Sequence, residues 1–152
     1  MSDVVIVTGG AIRIGREICL KLSEEGYKIA IHYRSSEDDA RDLQEEIESA
    51  GGNACTIKCD LNDSASVKKL IKNASDSLGA VVGVVNNASL FVLDRIEDVS
   101  EETWVEHMKV NALAPLLLIQ TLFESSVEGS WVVNILDFNC LLYTSPSPRD
   151  SD

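Results

Sequence analysis

The apolar positions of the chain alternate between two periods. Residues 3–8 (DVVIVT) form a continuous β-branched run, the pattern of a strand buried on both faces. Residues 14–25 then carry Ile14, Ile18 and Leu22 at helical spacing and stop at Gly26, a helix-terminating residue. A second strand is predicted over 28–33 (KIAIHY), followed by a charged helix capped by Ser36, with Ala40, Leu43 and Ile47 on its apolar face and Gly51-Gly52 at its end. The third strand is 54–59 (ACTIKC), and Ser64 opens a helix carrying Val67, Leu70, Ile71 and Ala74. The fourth strand is 81–86 (VVGVVN), a single long helix with Pro115 inside it runs from Glu101 to about Leu122, and the fifth strand is 130–135 (SWVVNI). Five strands alternating with four helices predict right-handed crossovers and an α/β fold, a doubly wound parallel sheet.

Composition narrows the partners more than the fold. A chain of 152 residues suits one domain. Its net charge of −12 repels phosphate backbones and anionic lipid, which argues against nucleic acid and membrane surfaces as partners. Any anionic ligand must therefore be held by local donors acting against the global field. The N-terminus has no basic segment before its apolar run, and no stretch reaches transmembrane length. Cys19, Cys55, Cys59 and Cys140 follow no metal spacing and read as reduced thiols of a cytoplasmic protein.

The chemistry concentrates where strands end. The turn 8–15 (TGGAIRIG) joins the first strand to the first helix. There, glycines let backbone approach a pyrophosphate and the helix N-terminus offers free N–H groups. The second strand ends His32, Tyr33, Arg34, Ser35, Ser36, with no acid before Glu37. A carboxylate there would accept from an adenosine 2′-hydroxyl. A guanidinium and a hydroxyl suit a 2′-phosphate, so Arg34 and Ser35 favour NADP(H) over NAD(H). A solvated loop arginine is the competing reading. Asp60 either accepts from an adenine amino group or caps its loop. Asn86 and Asn87, in NNAS (86–89), are either ligand-side groups at the topological switch point or turn residues. His32 and His107 have no nucleophile or ligand partner at useful spacing and read as structural.

Taken in order, TGGAIRIG, CDL, VVNNAS, HMKVNALAP and VVNI resemble the short-chain dehydrogenase/reductase family over Met1 to about Asn139. The resemblance implies a Rossmann-type fold, a nicotinamide cofactor and reduction of a carbonyl or imine. It places Gly9, Arg13, Ile14 and Gly15 in the cofactor loop, Tyr33, Arg34 and Ser35 beside the ribose phosphate, and Asp60 and Leu61 at the adenine. Asn87 falls in the cofactor ribose region, with Ala88 and Ser89 also at the cofactor, and Asn111 matches the asparagine of the catalytic tetrad. Two departures are specific. The middle glycine of TGxxxGxG is Arg13, and the serine expected after the fifth strand is Asp137. With IHYRSS and NNASLF, they make the chain similar to the pteridine reductase branch, including dihydromonapterin and dihydrofolate reductase relatives. That likeness implies Arg13 and Phe91 as contacts to a flat pterin and Asp137 as a catalytic partner. Phe91 as a packed loop anchor, Arg13 as a cover for the helix N-terminus and Asp137 as a loop cap are the bland alternatives.

The family's Tyr-x-x-x-Lys pair is missing. Tyr143 is followed four residues later by Ser147, no lysine follows Lys109, and Pro146 and Pro148 preclude a helix there. The expected organisation is an incomplete NADP-binding domain over 1–139 and a non-native or disordered tail over 140–152, a tail that also resembles the translation of a sequencing adapter. The expected activity is NADPH-dependent reduction of a pterin-like small molecule by a complete form that is a homotetramer or homodimer. The 152-residue chain itself is expected to be inactive. The alternatives are a reductase of another carbonyl substrate, such as an oxoacyl thioester, sugar or quinone, and a non-catalytic NADP-binding module.

Overall fold

The computed structural model describes residues 3–91, 97–125 and 127–136. Its strands are β1 (Val4–Val7), β2 (Lys28–Tyr33), β3 (Ala54–Lys58), β4 (Val81–Asn86) and β5 (Trp131–Asn134). All pair in parallel, in the order β3-β2-β1-β4-β5. The order reverses between β1 and β4, so the carboxyl ends of those two strands border the crevice where α/β sheets bind ligands. The predicted parallel, doubly wound sheet is present. All four residues of β1 and all six of β4 are buried, which is why neither shows the alternation of a half-exposed strand.

Helices α1 (Arg13–Glu24) and α2 (Glu37–Ser49) cover one face, closing a core around Val5, Val7, Ile29, Ile31, Leu43 and Ile47. Helices α3 (Ser64–Leu78) and α5 (Ala114–Glu124) cover the other, against Val4, Ile6 and Val84. Leu70 of α3 and Leu118 of α5 are fully buried between these layers. Each contributes about 2 kcal/mol by removal from water. Helix α4 (Glu101–Met108) precedes α5.

Two expectations need correction. The single helix from Glu101 to about Leu122 is three segments: α4, a π-helical turn at Lys109–Leu113, and α5, with Pro115 in the first turn of α5. A proline there has no N–H to leave unpaired and keeps its ring clear of a preceding regular turn. The apolar spacing nevertheless continues across the break. Ser36 sits at the N-cap of α2 but makes no side-chain capping bond, and Glu37, Asp38 and Asp39 complement the helix dipole instead. By contrast Asp63 caps α3 by accepting from the Ala65 N–H at 3.0 Å, and Ser100 caps α4 by accepting from the Thr103 N–H at 3.1 Å. Asp137 and the tail 140–152 lie outside the described residues.

Candidate functional site

The turn after β1 is stitched to the loop after β4. The buried Thr8 hydroxyl accepts from the backbone N–H groups of Asn87 and Ala88, each at 3.0 Å. In return the Asn87 amide nitrogen donates to the carbonyls of Thr8 at 2.9 Å and Gly9 at 3.1 Å. Conformation and close packing favour glycine in this turn. Gly9 has φ +61°, and a Cβ on Gly15 would lie 2.1 Å from the Gly9 carbonyl oxygen. Beneath the turn, the buried Cys19 thiol donates to the Gly10 carbonyl at 3.6 Å. Burial pushes that thiol up to about 12, against the pull of Arg16, so Cys19 packs and does not react. Cys19, Cys55 and Cys59 are all free.

Helix α1 begins without a side-chain cap and with no acidic residue in its first turn. Its leading N–H groups are left for an anion, whereas α3 and α4 satisfy theirs with capping side chains. Arg13, the first residue of α1, has φ 53° and is the only non-glycine residue at positive φ among the described residues. A left-handed arginine at the start of this helix is backbone strain at a candidate site.

The ends of β2 and β3 meet the turn through His32. Gly9 N–H donates to its Nδ1 at 3.0 Å, and its Nε2 lies 3.0 Å from the Cys59 carbonyl. Burial lowers the imidazole from 6.5 to about 4, opposed by the Cys59 carbonyl and by the Asp60 charge. A cavity of about 170 Å³ opens here, lined among others by Gly9, His32, Arg34, Asp60, Leu61 and Ser89. Arg34 and Ser35 are exposed at its β2 side, while Tyr33 is buried in the core. One Asp60 carboxylate oxygen accepts from the Asn62 N–H at 2.9 Å, so the loop-capping role proposed for it is realised, and the residue also faces the cavity.

Asn111 lies at the middle of the π-helical turn, a distortion often found at functional sites. Its amide nitrogen donates to the Leu90 carbonyl and its oxygen accepts from the Leu90 N–H, both at 2.8 Å. The side chain thus clamps the residue next to Phe91, which is half-exposed. A second cavity, about 300 Å³, lies alongside and is lined by Asn86, Ser89, His107, Asn111 and Asn134 with several apolar neighbours. Asn86 and Asn134 are register partners, and the Asn86 side-chain Nδ2 donates to the Asn134 side-chain Oδ1 at 2.8 Å. The buried Asn86 Oδ1 has no partner and is an acceptor for a donor entering from that side. A third cavity, about 470 Å³, lies at the opposite end of the sheet beside Tyr27, Lys28 and Gly51. It is remote from this chemistry, and its helix-end carbonyls and Glu24 and Glu46 offer little to an anion.

The predicted groups therefore gather at one edge: Gly9, Gly15, Arg34, Asp60, Leu61, Asn87, Ala88 and Ser89 around the turn and the smaller cavity, Asn111 and Phe91 beyond. Ile14 projects from the start of α1 and is exposed. Sequence reasoning missed Thr8 as the stitch between β1 and β4, although its place at the end of a buried strand before glycine was a usable signal. Asn86 was weighed as a ligand-side group or a turn residue, and its pairing with Asn134 across β4 and β5 was not foreseen.

A sheet with this order, a glycine turn leading into an uncapped helix and polar loops at the switch point define a Rossmann-type α/β domain. The pattern of the short chain dehydrogenase family matches residues 3–140, and the chain belongs to that family. It is 31% identical over 134 residues to an uncharacterized oxidoreductase of Methylorubrum extorquens, which covers 88% of this chain and 54% of that protein. It is 33% identical over 111 residues to the 3-oxoacyl-[acyl-carrier-protein] reductase FabG of Staphylococcus epidermidis, covering 73% of this chain and 46% of that one. Among solved structures, FolM alternative dihydrofolate reductase 1 from Brucella canis complexed with NADP is 37% identical with a TM-score of 0.84, covering 90% of this chain and 56% of that one. The chain spans about half the length of the curated relatives it matches.

Proposed function

We propose that residues 1–139 form the incomplete cofactor-binding domain of an NADPH-dependent reductase, with a pterin or similar flat ring as the substrate reduced at C=N or C=O. The observation that carries the cofactor half is the cavity shared by Gly9, His32, Arg34 and Asp60, with no acid at the end of β2 before Glu37. The residues present fit the group. Arg34 offers a planar fork to a 2′-phosphate, Ser35 a hydroxyl, and the uncapped start of α1 its N–H groups to the pyrophosphate. The NADP-complexed FolM structure, at 37% identity, supports the same choice.

Bound NADPH supplies a hydride. This chain's residues orient the partners: Asn111 fixes Leu90 and hence the start of the loop carrying Phe91, whose half-exposed ring can stack on a flat substrate. Arg13 lies at the phosphate end of the site and can meet a polar substrate edge. Asp137 lies outside the described residues; the family likeness assigns it as the partner of a proton donor. The Tyr-x-x-x-Lys pair that lowers a phenol's pKa and donates that proton does not occur in the 152 residues. Exposed Trp104, Leu116, Ile119 and Phe123 along α4 and α5 support self-association of a complete form.

The second reading, reduction of an oxoacyl thioester, is favoured by the likeness to FabG. Phe91 and Asp137 favour the pterin. Titrating the chain with NADPH and NADH, then the NADP⁺-loaded chain with biopterin or an acetoacetyl thioester, separates these. NADPH should bind at least tenfold more tightly than NADH, and the pterin should bind in preference to the thioester. Equal affinity for the two cofactors rejects the first half, and preference for the thioester transfers the chain to the second reading.

A further inference from the structure

His32 is tied at both ring nitrogens in a way that permits a single protonation state. An amide N–H only donates and a carbonyl oxygen only accepts. The Gly9 contact therefore requires a lone pair on Nδ1, and the Cys59 contact requires the proton on Nε2. The ring is 2% exposed. The Gly10 N–H also donates to the His32 carbonyl at 2.9 Å, so Gly9 and Gly10 are both anchored on one residue of β2. The partners come from three segments distant in sequence: the turn after β1, the end of β2 and the end of β3. His32 also lines the 170 Å³ cavity, together with Arg34 and Asp60.

We propose that His32 is a positioning residue for cofactor binding: a neutral pin with two ends that sets the spacing between the glycine turn and the end of β3, and so the width of the cavity on which the adenosine end of the cofactor depends. The inference rests on the NADP(H) reading above. It assigns to Gly9 a consequence as well, since the Gly9 N–H is committed to the imidazole and is not a phosphate donor. Phosphate must then be met by the N–H groups from Ile12 onward and by the arginines. Besides His32, Arg34 just after β2 and Asp60 just after β3 are the titratable groups lining this cavity among the described residues, and neither the turn nor the loop after β4 adds one. A second proton, on Nδ1, would set donor against donor at Gly9 and release that end of the pin. Burial opposes this by keeping the imidazole well below its ordinary value.

The test compares the unmutated 152-residue chain with His32→Asn, His32→Gln and His32→Leu. Asparagine keeps an acceptor near the Nδ1 position for Gly9. Glutamine keeps a donor near the Nε2 position for Cys59. Leucine keeps bulk alone. Amide hydrogen exchange at Gly9 and NADPH affinity are measured on each protein, and long-range nitrogen-15 spectra give the His32 tautomer in the unmutated chain. The Nε2–H tautomer is expected at neutral pH, with Gly9 protected in the unmutated and His32→Asn proteins and exposed in the other two. NADPH binding should follow Gly9 protection, weakening about tenfold in His32→Leu, the size of a lost buried hydrogen bond. An Nδ1–H tautomer overturns the proposal without any variant having to fold. So does NADPH affinity that ignores Gly9 exchange, or equal losses in all three variants, which is the mark of packing alone. Failure of the unmutated chain to bind NADPH while Gly9 protection still depends on His32 counts against the cofactor reading. Unchanged Gly9 exchange in His32→Leu counts against the pin.

Discussion

Replacing Arg13 by glycine should make the protein more stable and worse at holding its cofactor. Arg13 sits at φ 53°, in the left-handed region, at the first residue of α1. For a residue with a Cβ that conformation costs about 1–2 kcal/mol, and glycine adopts it freely. A cation at a helix N-terminus is also unfavourable by about 0.3–1 kcal/mol. Against these gains stands the larger backbone entropy of glycine in the unfolded chain, about 0.5–1 kcal/mol. Arg13 is exposed and takes part in none of the ion pairs among the described residues, so little packing is lost. The net is a stabilisation of about 1 kcal/mol, or about 2–4 °C in melting temperature for a chain of this size.

The functional sign is opposite. A charge-assisted hydrogen bond to a phosphate contributes about 1.5–3 kcal/mol, so NADPH affinity should fall by about tenfold to a hundredfold. Arg13→Ala is the decisive control: alanine removes the charge but keeps the strain, so it should lose affinity without the full gain in stability. Thermal or urea unfolding of the three proteins, with NADPH titrations by fluorescence, reads both signs. The reasoning is refuted if glycine and alanine shift the midpoint equally, or if Arg13→Gly binds NADPH as the unmutated protein does.

Arg34→Ala should weaken NADPH binding by about tenfold to a hundredfold while changing NADH binding little, and equal losses for both cofactors in parallel titrations would mean Arg34 does not read the 2′-phosphate. Phe91→Ala should cost about tenfold in biopterin affinity for the NADP⁺-loaded chain with NADPH binding unchanged, and an untouched pterin affinity would make Phe91 a loop anchor. The 152-residue chain should oxidise NADPH no faster than buffer in the presence of dihydropterin, since it lacks the Tyr-x-x-x-Lys pair. For His32 the neutral form is favoured by folding. Its folded value, near 4, lies below the ordinary value of 6.5, so its contribution is full above about 6.5 and is lost as pH falls towards 4. The stability gap between the unmutated protein and His32→Asn, from urea melts, should therefore narrow over that window, and a constant gap would show that the imidazole does not titrate there.

The fold was legible because its strands are continuous apolar runs and its helices have 3.6-residue periodicity, and neither signal depends on distant residues. The break between α4 and α5 was not legible. Apolar positions continue through Lys109–Leu113, and a proline in a first turn is compatible with either an unbroken or a restarted helix. Residue type alone was enough to name Gly9, Gly15, Arg34 and Asn111 as candidates. The site was not legible where the chemistry depends on sheet register. His32 reaches both the turn and Cys59 because β1 pairs Val7 with Ile31 and β2 pairs His32 with Ile57. Read along the chain alone, it is an isolated histidine at the end of a strand.

These bonds divide the donors near the crevice into two groups, and the division bears on how a chain of net charge −12 holds an anion. The donors that point inward are already engaged: Gly9 N–H on His32, Gly10 N–H on the His32 carbonyl, and the Asn87 amide on Thr8 and Gly9. They stiffen the turn but cannot meet a phosphate. What remains is the uncapped start of α1 together with Arg13 and Arg34, cations that make no ion pair among the described residues. Binding energy for a dinucleotide must then come from a few strong, charge-assisted contacts on a rigid frame. Rigidity matters as much as charge here, because a turn held open by Thr8, Asn87 and His32 loses little further freedom when the ligand arrives.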